Sequence, residues 1–457
     1  MTRSSALNDQ SVSLKPMGPV TEASTARALL ALIRNPLEAL PPAVFTEPLV
    51  FSKVAGRVSI YISDPALIHE ALVKNADVLG KGDQVRRALG PALGSGLLTA
   101  DGAHWKWQRQ SVASAFRPSS LTALQPAMLD AARQTRDRLL GHQGETVDIG
   151  HEMMKTTFDI IVETMMSGGH GIDVERVERS ITDYLRPSGW TFALGVVGAP
   201  DWTPYPGRQR AMRAVEFLRS SLMSVLEERR RNPSDRQDLV SMLISASDPE
   251  TGRMMTDVEI IDNLMTFITA GHETTALGLA WTFDLLARNP ECEARLLAEI
   301  EEVTQGEEMR PEHIGALNYT KQVFSEAMRL YPPAPIITRT ALKDFKLGDY
   351  LVPEGTVMFV PIYAVHHHAA IWNEPEKFDP DRFLTDATKA RHRYAYMPFG
   401  AGPRVCIGNA FAVMEAVAVL TVILQKMRLR TDGITPEPLM KVTLRPKTSL
   451  KMKVASA

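Results

Sequence analysis

Residues 399–408 read Phe-Gly-Ala-Gly-Pro-Arg-Val-Cys-Ile-Gly, and they place a thiol where it could become a strong ligand. Cys406 follows a loop rich in glycine and immediately precedes an apolar run, residues 410–424, that reads as a helix. A thiol at a helix N-terminus meets unpaired backbone N–H groups and the positive end of the helix dipole, both of which favour thiolate. Arg404 adds a guanidinium two residues away, and Gly400, Gly402 and Gly408 allow close approach of something flat. The plain alternative is a buried free cysteine at the start of a core helix. Three further groupings could do chemistry. Trp105 and Arg109 are four apart on a helical pattern, and an indole N–H beside a guanidinium suits carboxylates. Residues 270–275, Ala-Gly-His-Glu-Thr-Thr, put an acid and two hydroxyls inside a strongly apolar helical stretch, where polarity is costly. Glu326 and Arg329 are one helical turn apart, and Arg382 follows later in Pro-Asp-Arg-Phe.

Together these groupings resemble the cytochrome P450 family. The cysteine stretch matches Phe-x-x-Gly-x-Arg-x-Cys-x-Gly at Phe399, Gly402, Arg404, Cys406 and Gly408. The 270–275 stretch resembles the family's acid–alcohol helix motif, with Glu273 and Thr274 as the matching pair. The resemblance implies that Cys406 ligates the iron of haem b and that Trp105, Arg109, Gly271, Arg339, Phe399 and Arg404 hold the cofactor. It implies that Glu273 and Thr274 relay protons, while Leu264, Ile268, Ala270, Ile336, Ile337 and Met440 face substrate. Glu326, Arg329 and Arg382 are then a buried structural trio, because three charges buried together must pair. For residues 270–275 the bland reading is a threonine bonded to its own helix carbonyl and a glutamate reaching a salt bridge.

The implied fold is the P450 fold, mainly α with a small β-rich lobe. Residues 1–40 read as a polar tail and first helix, and residues 41–457 as one catalytic domain. The implied activity is insertion of one oxygen atom of O2 into a mainly hydrophobic small organic molecule. NAD(P)H would supply electrons indirectly, through a ferredoxin- or flavodoxin-type donor with its reductase. Lys106, Arg109, Lys426 and Arg428 are basic residues that could receive an acidic donor. Alternatives within the fold are a peroxide-driven peroxygenase, which the intact Glu273–Thr274 pair disfavours, and a non-catalytic haem sensor.

The totals agree with an ordinary globular enzyme. The 457 residues carry a net charge of −2 and 44% hydrophobic residues, which points to no nucleic-acid partner. Two cysteines argue against a disulfide framework and fit a reducing, cytoplasmic setting. The apolar run 26–33 is too short to span a bilayer, so no transmembrane anchor is expected.

Further elements must position the chemistry. Residues 49–63 alternate around Ala55-Gly56 as a hairpin, and a helix follows from residue 65. Residues 80–102, rich in glycine and small side chains, read as a long loop, which the P450 resemblance implies roofs the substrate pocket. Residues 181–226 read as helix, loop and helix, with a Pro, Gly and aromatic connector at 189–207, and the resemblance implies that they form a lid over that pocket. Thr256 opens the apolar helix with a capping box to Glu259. That helix has about thirty residues to Arg288, far above the usual mean of about 11–12, with Gly271 as its weak point. His272 occupies an unspecified motif position and reads as a satisfied core or loop histidine. His366-His367-His368 reads as a hydrated loop, because consecutive side chains diverge too far to converge on a metal. Residues 442–454 read as a terminal hairpin.

Overall fold

The computed structural model describes residues 20–457 except 23, 167–172, 234–237 and 249. The tail expected at residues 1–19 and the turns expected at 168–171 and 234 lie outside the described residues.

The largest element is the central helix, Asp257–Arg288. Thr256 starts it as expected: its hydroxyl accepts from the Glu259 N–H while the Glu259 carboxyl accepts from the Thr256 N–H. The helix runs unbroken through Gly271. There a β-carbon would lie 2.8 Å from Ile161 Cδ1, so the missing side chain serves close packing on the neighbouring helix Ile149–Met166. Around the central helix lie Gly82–Leu93, Arg208–Arg231, Asn318–Leu330 and the cysteine helix Asn409–Leu424. The side chains buried between them form one continuous apolar core.

A β-rich lobe has a smaller core of its own. Its six-stranded sheet runs in the order Val20–Glu22, Leu49–Val54, Arg57–Ile62, Val357–Val360, Ile337–Ala341, Leu79–Gly80. The 49–63 hairpin forms as read, with Ala55 and Gly56 both at positive φ in its two-residue turn. Strand Ile337–Ala341 carries Arg339 from this lobe toward the helical body. Among the described residues no helix is long and apolar enough to cross a membrane.

Several expectations fail on long-range contacts. Residues 80–102 are not one long loop: helix Gly82–Leu93 forms, with Pro91 in its last turn, and a second helix begins at Gly102. The connector at 189–207 contains the helix Ser188–Val196. Residues 442–454 do not pair with themselves. Leu444–Pro446 pairs back onto Pro438–Met440, while Lys451–Ser456 joins Met427–Thr431. The three histidines are buried rather than hydrated. His366 is held on both sides, with Nε2 accepting from Met397 N–H and Nδ1 facing the Arg329 carbonyl.

The Glu326, Arg329 and Arg382 trio is assembled and buried. Arg329 donates to both Glu326 oxygens at 2.7 and 2.8 Å, both side chains have 0% exposure, and Arg382 Nε approaches the same carboxyl at 3.3 Å. Arg329 also donates to the carbonyls of His366, Pro375 and Lys377, which pins the segment leading to the cysteine loop. Arg329→Leu leaves Glu326 without its bidentate partner and should cost about 3–5 kcal/mol in chemical denaturation. A loss under about 1 kcal/mol, the range of an exposed pair, would show that the trio does not hold this segment.

Candidate active site

The cysteine loop is shaped by its glycines and by one backbone bond. Gly402 has φ +71°, and a β-carbon there would fall 2.0 Å from the Leu72 carbonyl oxygen, so only glycine fits. The Cys406 N–H donates to the Phe399 carbonyl at 2.8 Å, closing the loop before the helix. Cys406 is enclosed by protein mass, yet its surface is exposed, as expected of a sulfur on the wall of an interior gap. Burial pushes its thiol up, while the Gly408 N–H and the Arg109 guanidinium pull it down. Burial prevails, so the helix terminus and one guanidinium do not by themselves yield the expected thiolate. A metal ion at the sulfur would supply the missing positive charge.

The opposite wall comes from the central helix. Along its buried length the surface opens at Phe267, Thr269, Ala270, Gly271 and Thr274; Thr269 lines a small cavity beside Ile268, whereas Phe267, Ala270, Gly271 and Thr274 are spaced three and four apart and share one face. Phe116 links the walls: its ring edge is 3.7 Å from where a Gly408 β-carbon would stand, and it stacks on Phe267 at 5.6 Å. Ile337, at the start of its strand, and Ile336, just before it, are half-buried; Ile337 Cδ1 lies 3.6 Å from the β-carbon position of Gly400, and Ile336 packs on the cluster of Leu40, Val44 and Val50. Other expected lining residues lie elsewhere. Leu264 is in the core, and Ile268 lines a small apolar cavity with Phe158, Val177 and Leu222, away from the Ala270 face. Met440 is buried in a strand whose N–H is taken by Asn35.

One rim of the gap is a cluster of basic groups. Lys81, Arg339 and Arg404 lie together, with one carboxyl, Asp101, acting on all three. Burial first, then Arg339 and Arg404, drive Lys81 well below its ordinary value; burial and Arg404 bring Arg339 to about 10. Asp101 begins the helix Gly102–Val112 but does not cap it, because its carboxyl accepts from the Lys81 N–H, Arg86 and Arg404. Arg404 turns from the sulfur to Asp101 and lies 4.3 Å over the Trp105 ring. Arg109 lies 5.9 Å from the centre of the Trp105 ring, as their shared helical face predicts, and is also the guanidinium that acts on Cys406. Two buried basic groups and the part-buried Arg404, set against one acid, form a site short of negative charge. The two carboxylates of a haem fit it, and so does an iron at Cys406.

Glu273 and Thr274 make the contacts of the bland reading. The Thr274 hydroxyl donates to the Ala270 carbonyl at 2.6 Å. Glu273, 3% exposed, accepts from the Thr443 hydroxyl at 2.7 Å and is salt-bridged to Arg445, whose side chain is 24% exposed. Lys81, Asp101, Thr443 and Arg445 were not apparent from motif spacing. The signal available for Arg445 was a charge inside the short terminal strand.

Similarity to known proteins decides between these readings at the level of family. The sequence profile described as cytochrome P450 matches residues 44–454. The chain belongs to the cytochrome P450 family. It is 33% identical over 403 residues to a cyclooctat-9-en-7-ol 5-monooxygenase of Streptomyces melanosporofaciens, covering 88% of this chain and 86% of that one. It is 32% identical to a pentalenene oxygenase of Streptomyces avermitilis, covering 82% and 83%. The heme domain of cytochrome P450DA superposes with TM-score 0.79 at 26% identity, covering 90% of each chain. The fold is therefore the P450 fold and the chain a P450 monooxygenase, a haem-iron enzyme that uses O2 and reductant.

His272 departs from its expected role. It is 2% exposed, meets Phe158 edge-on at 5.6 Å, and neither ring nitrogen has a hydrogen-bond partner. Burial, then Arg445, lowers it to about 4. The unfolded chain takes up this proton near pH 6.5. The site's contribution to stability is therefore full above about pH 6.5 and is lost as pH falls through about 4, a loss on the order of 3 kcal/mol. His272→Leu should remove most of that acid sensitivity in urea titrations at neutral and acid pH. At the sulfur, Cys406→Ser should abolish the absorption band of the reduced carbon-monoxide complex near ~450 nm, a mark of thiolate ligation. An unchanged band would show that another residue binds iron.

Proposed function

We propose that this P450 binds haem b between Cys406 and the Ala270–Thr274 face and hydroxylates a mainly hydrophobic small organic molecule. The observation that carries the proposal is the pairing of an open sulfur with an open stripe on an otherwise buried helix, beside basic groups short of anions. Cys406 would ligate the iron, with Arg109 near the sulfur. Lys81, Arg339 and Arg404, backed by Trp105, would receive the propionates, and Phe399 and Gly402 would shape the loop beneath. Bound haem supplies the activation of O2: two electrons and two protons place one oxygen atom in a substrate C–H bond and release the other as water.

The chain's own part is to bind, orient and move protons. Phe267, Ala270, Ile336 and Ile337 present apolar surface, which suits a hydrocarbon-like substrate and excludes bulk water. The names of the relatives, a cyclooctatenol monooxygenase and a pentalenene oxygenase, fit the same class. Glu273 is held by Thr443 and by Arg445, and the partial exposure of Arg445 gives the buried carboxyl a contact that extends toward solvent. We assign Glu273 to proton exchange with that side. Thr274 would pass the proton inward by accepting one from a water on the Glu273 side while turning its own O–H from the Ala270 carbonyl toward the pocket. Electrons would come from NAD(P)H through a ferredoxin- or flavodoxin-type donor and its reductase. Exposed Lys106 and Lys426 supply positive charge for an acidic donor.

Spin-state titration of the ferric protein against a compound library should identify apolar substrates. With such a substrate, Thr274→Ala should still consume reductant but release the reduced O2 mostly as hydrogen peroxide, with product falling on the order of 10²-fold. Full coupling in that variant would remove Thr274 from proton delivery. Turnover driven by peroxide alone, at the rate reached with reductant, would identify a peroxygenase instead.

A further inference from the structure

A second acid lies in the core, on the helix that begins beside the cysteine. Glu415 is in Asn409–Leu424, whose other side chains from Ala416 to Leu424 are buried and almost all apolar. Its exposure is 0%, and neither carboxyl oxygen has a hydrogen-bond partner. Among the described residues no charged side chain acts on it; the Thr275 hydroxyl of the central helix does, and its downward pull on the carboxyl is outweighed by burial. An ionised carboxyl in such a place would cost several kcal/mol with nothing to offset it. As a neutral acid it needs one acceptor for its O–H.

Thr275 is suited to be that acceptor. Thr266, Thr274 and Thr282 of the same helix each return their hydroxyl to the carbonyl four residues back, whereas Thr275 makes no such bond. Thr275 is buried and follows the acid–alcohol pair directly. Glu415 therefore stands between the helix that starts at the iron ligand and the turn that carries Glu273 and Thr274.

We infer that Glu415 is a neutral carboxylic acid that donates its O–H to Thr275, acting as a positioning residue that fixes the Glu273–Thr275 turn against the cysteine helix. Burial raises its carboxyl well above the ordinary carboxylate range, in keeping with this state. The inference rests on the proposed placement of haem between these two helices, but the hydrogen bond itself does not depend on the cofactor's chemistry.

The test is infrared spectroscopy of the full-length protein carrying isotope-labelled glutamate, at neutral pH. The wild type should show a protonated-carboxyl C=O band that disappears in Glu415→Gln. The band should shift in Thr275→Val, which keeps the shape but removes the acceptor. Absence of the band in the wild type, its survival in Glu415→Gln, or indifference to Thr275→Val would each overturn the inference. In the holoenzyme, Glu415→Leu should broaden the C–O stretch of the ferrous carbon-monoxide complex at least twofold. Glu415→Gln, which can still donate, should leave it native. A native band width in Glu415→Leu would refute positioning. Because the carboxyl band is read without turnover, its failure would leave the monooxygenase reading intact, whereas loss of thiolate ligation would undo that reading and leave the carboxyl band in place.

Discussion

Burying more positive than negative charge is the condition around which this chain is arranged. Lys81 comes from the segment before helix Gly82–Leu93, Arg339 from a strand of the β-rich lobe, and Arg404 from the cysteine loop. Three parts of the chain, far apart in sequence, bring basic groups to Asp101. Such crowding opposes folding, because each cation loses hydration and meets repulsion. It becomes favourable when a dianionic ligand enters, and the ligand's affinity then includes relief of that repulsion. If the proposed propionate site is correct, folding and cofactor capture would be coupled through this charge imbalance. The contrast with Glu326 and Arg329 is instructive. That pair is equally buried, but donors and acceptors are matched within the chain, and it asks for nothing from outside.

The two acids beside the active-site turn follow the same logic in opposite directions. Glu273 is given Arg445 and Thr443 and keeps a link toward the surface. Glu415 is given no cation, and the Thr275 hydroxyl is the polar group that acts on it. Environment, not residue type, separates the carboxyl proposed to exchange protons from the one proposed to hold position. His272 belongs with the second group: it is neutral, enclosed, and adds a polar edge without a partner.

Much of this was legible in the sequence where chemistry is local. The ligand loop, the capping box at Thr256, the Glu326 and Arg329 pair and the Ala55-Gly56 turn are each set by neighbours within a few residues, and each forms as read. What escaped depends on partners brought together by the fold. Glu273 and Arg445 are 172 residues apart, and no periodicity links them. Lys81 and Asp101 sat in a segment whose glycines suggested a loop, yet tertiary packing overrode that weak propensity and made a helix there. The histidine triplet looked hydrated because its side chains diverge; divergence instead let each be buried against a different element.

The unbroken course of the central helix changes what Gly271 is for. A kink there would open the helix by releasing a carbonyl, but the helix remains continuous, and the space at Gly271 is taken by Ile161 from the outer side. The open stripe on the inner side must then come from small side chains and from Thr274 folding its hydroxyl back onto the Ala270 carbonyl. That carbonyl already accepts within the helix, so the added bond is shared and weaker than a first one. A hydroxyl bound in this way can turn to another acceptor at little cost. An alcohol that is anchored but readily released, on an unbroken helix, would suit the proton-handling role proposed for it without disturbing the wall it stands on.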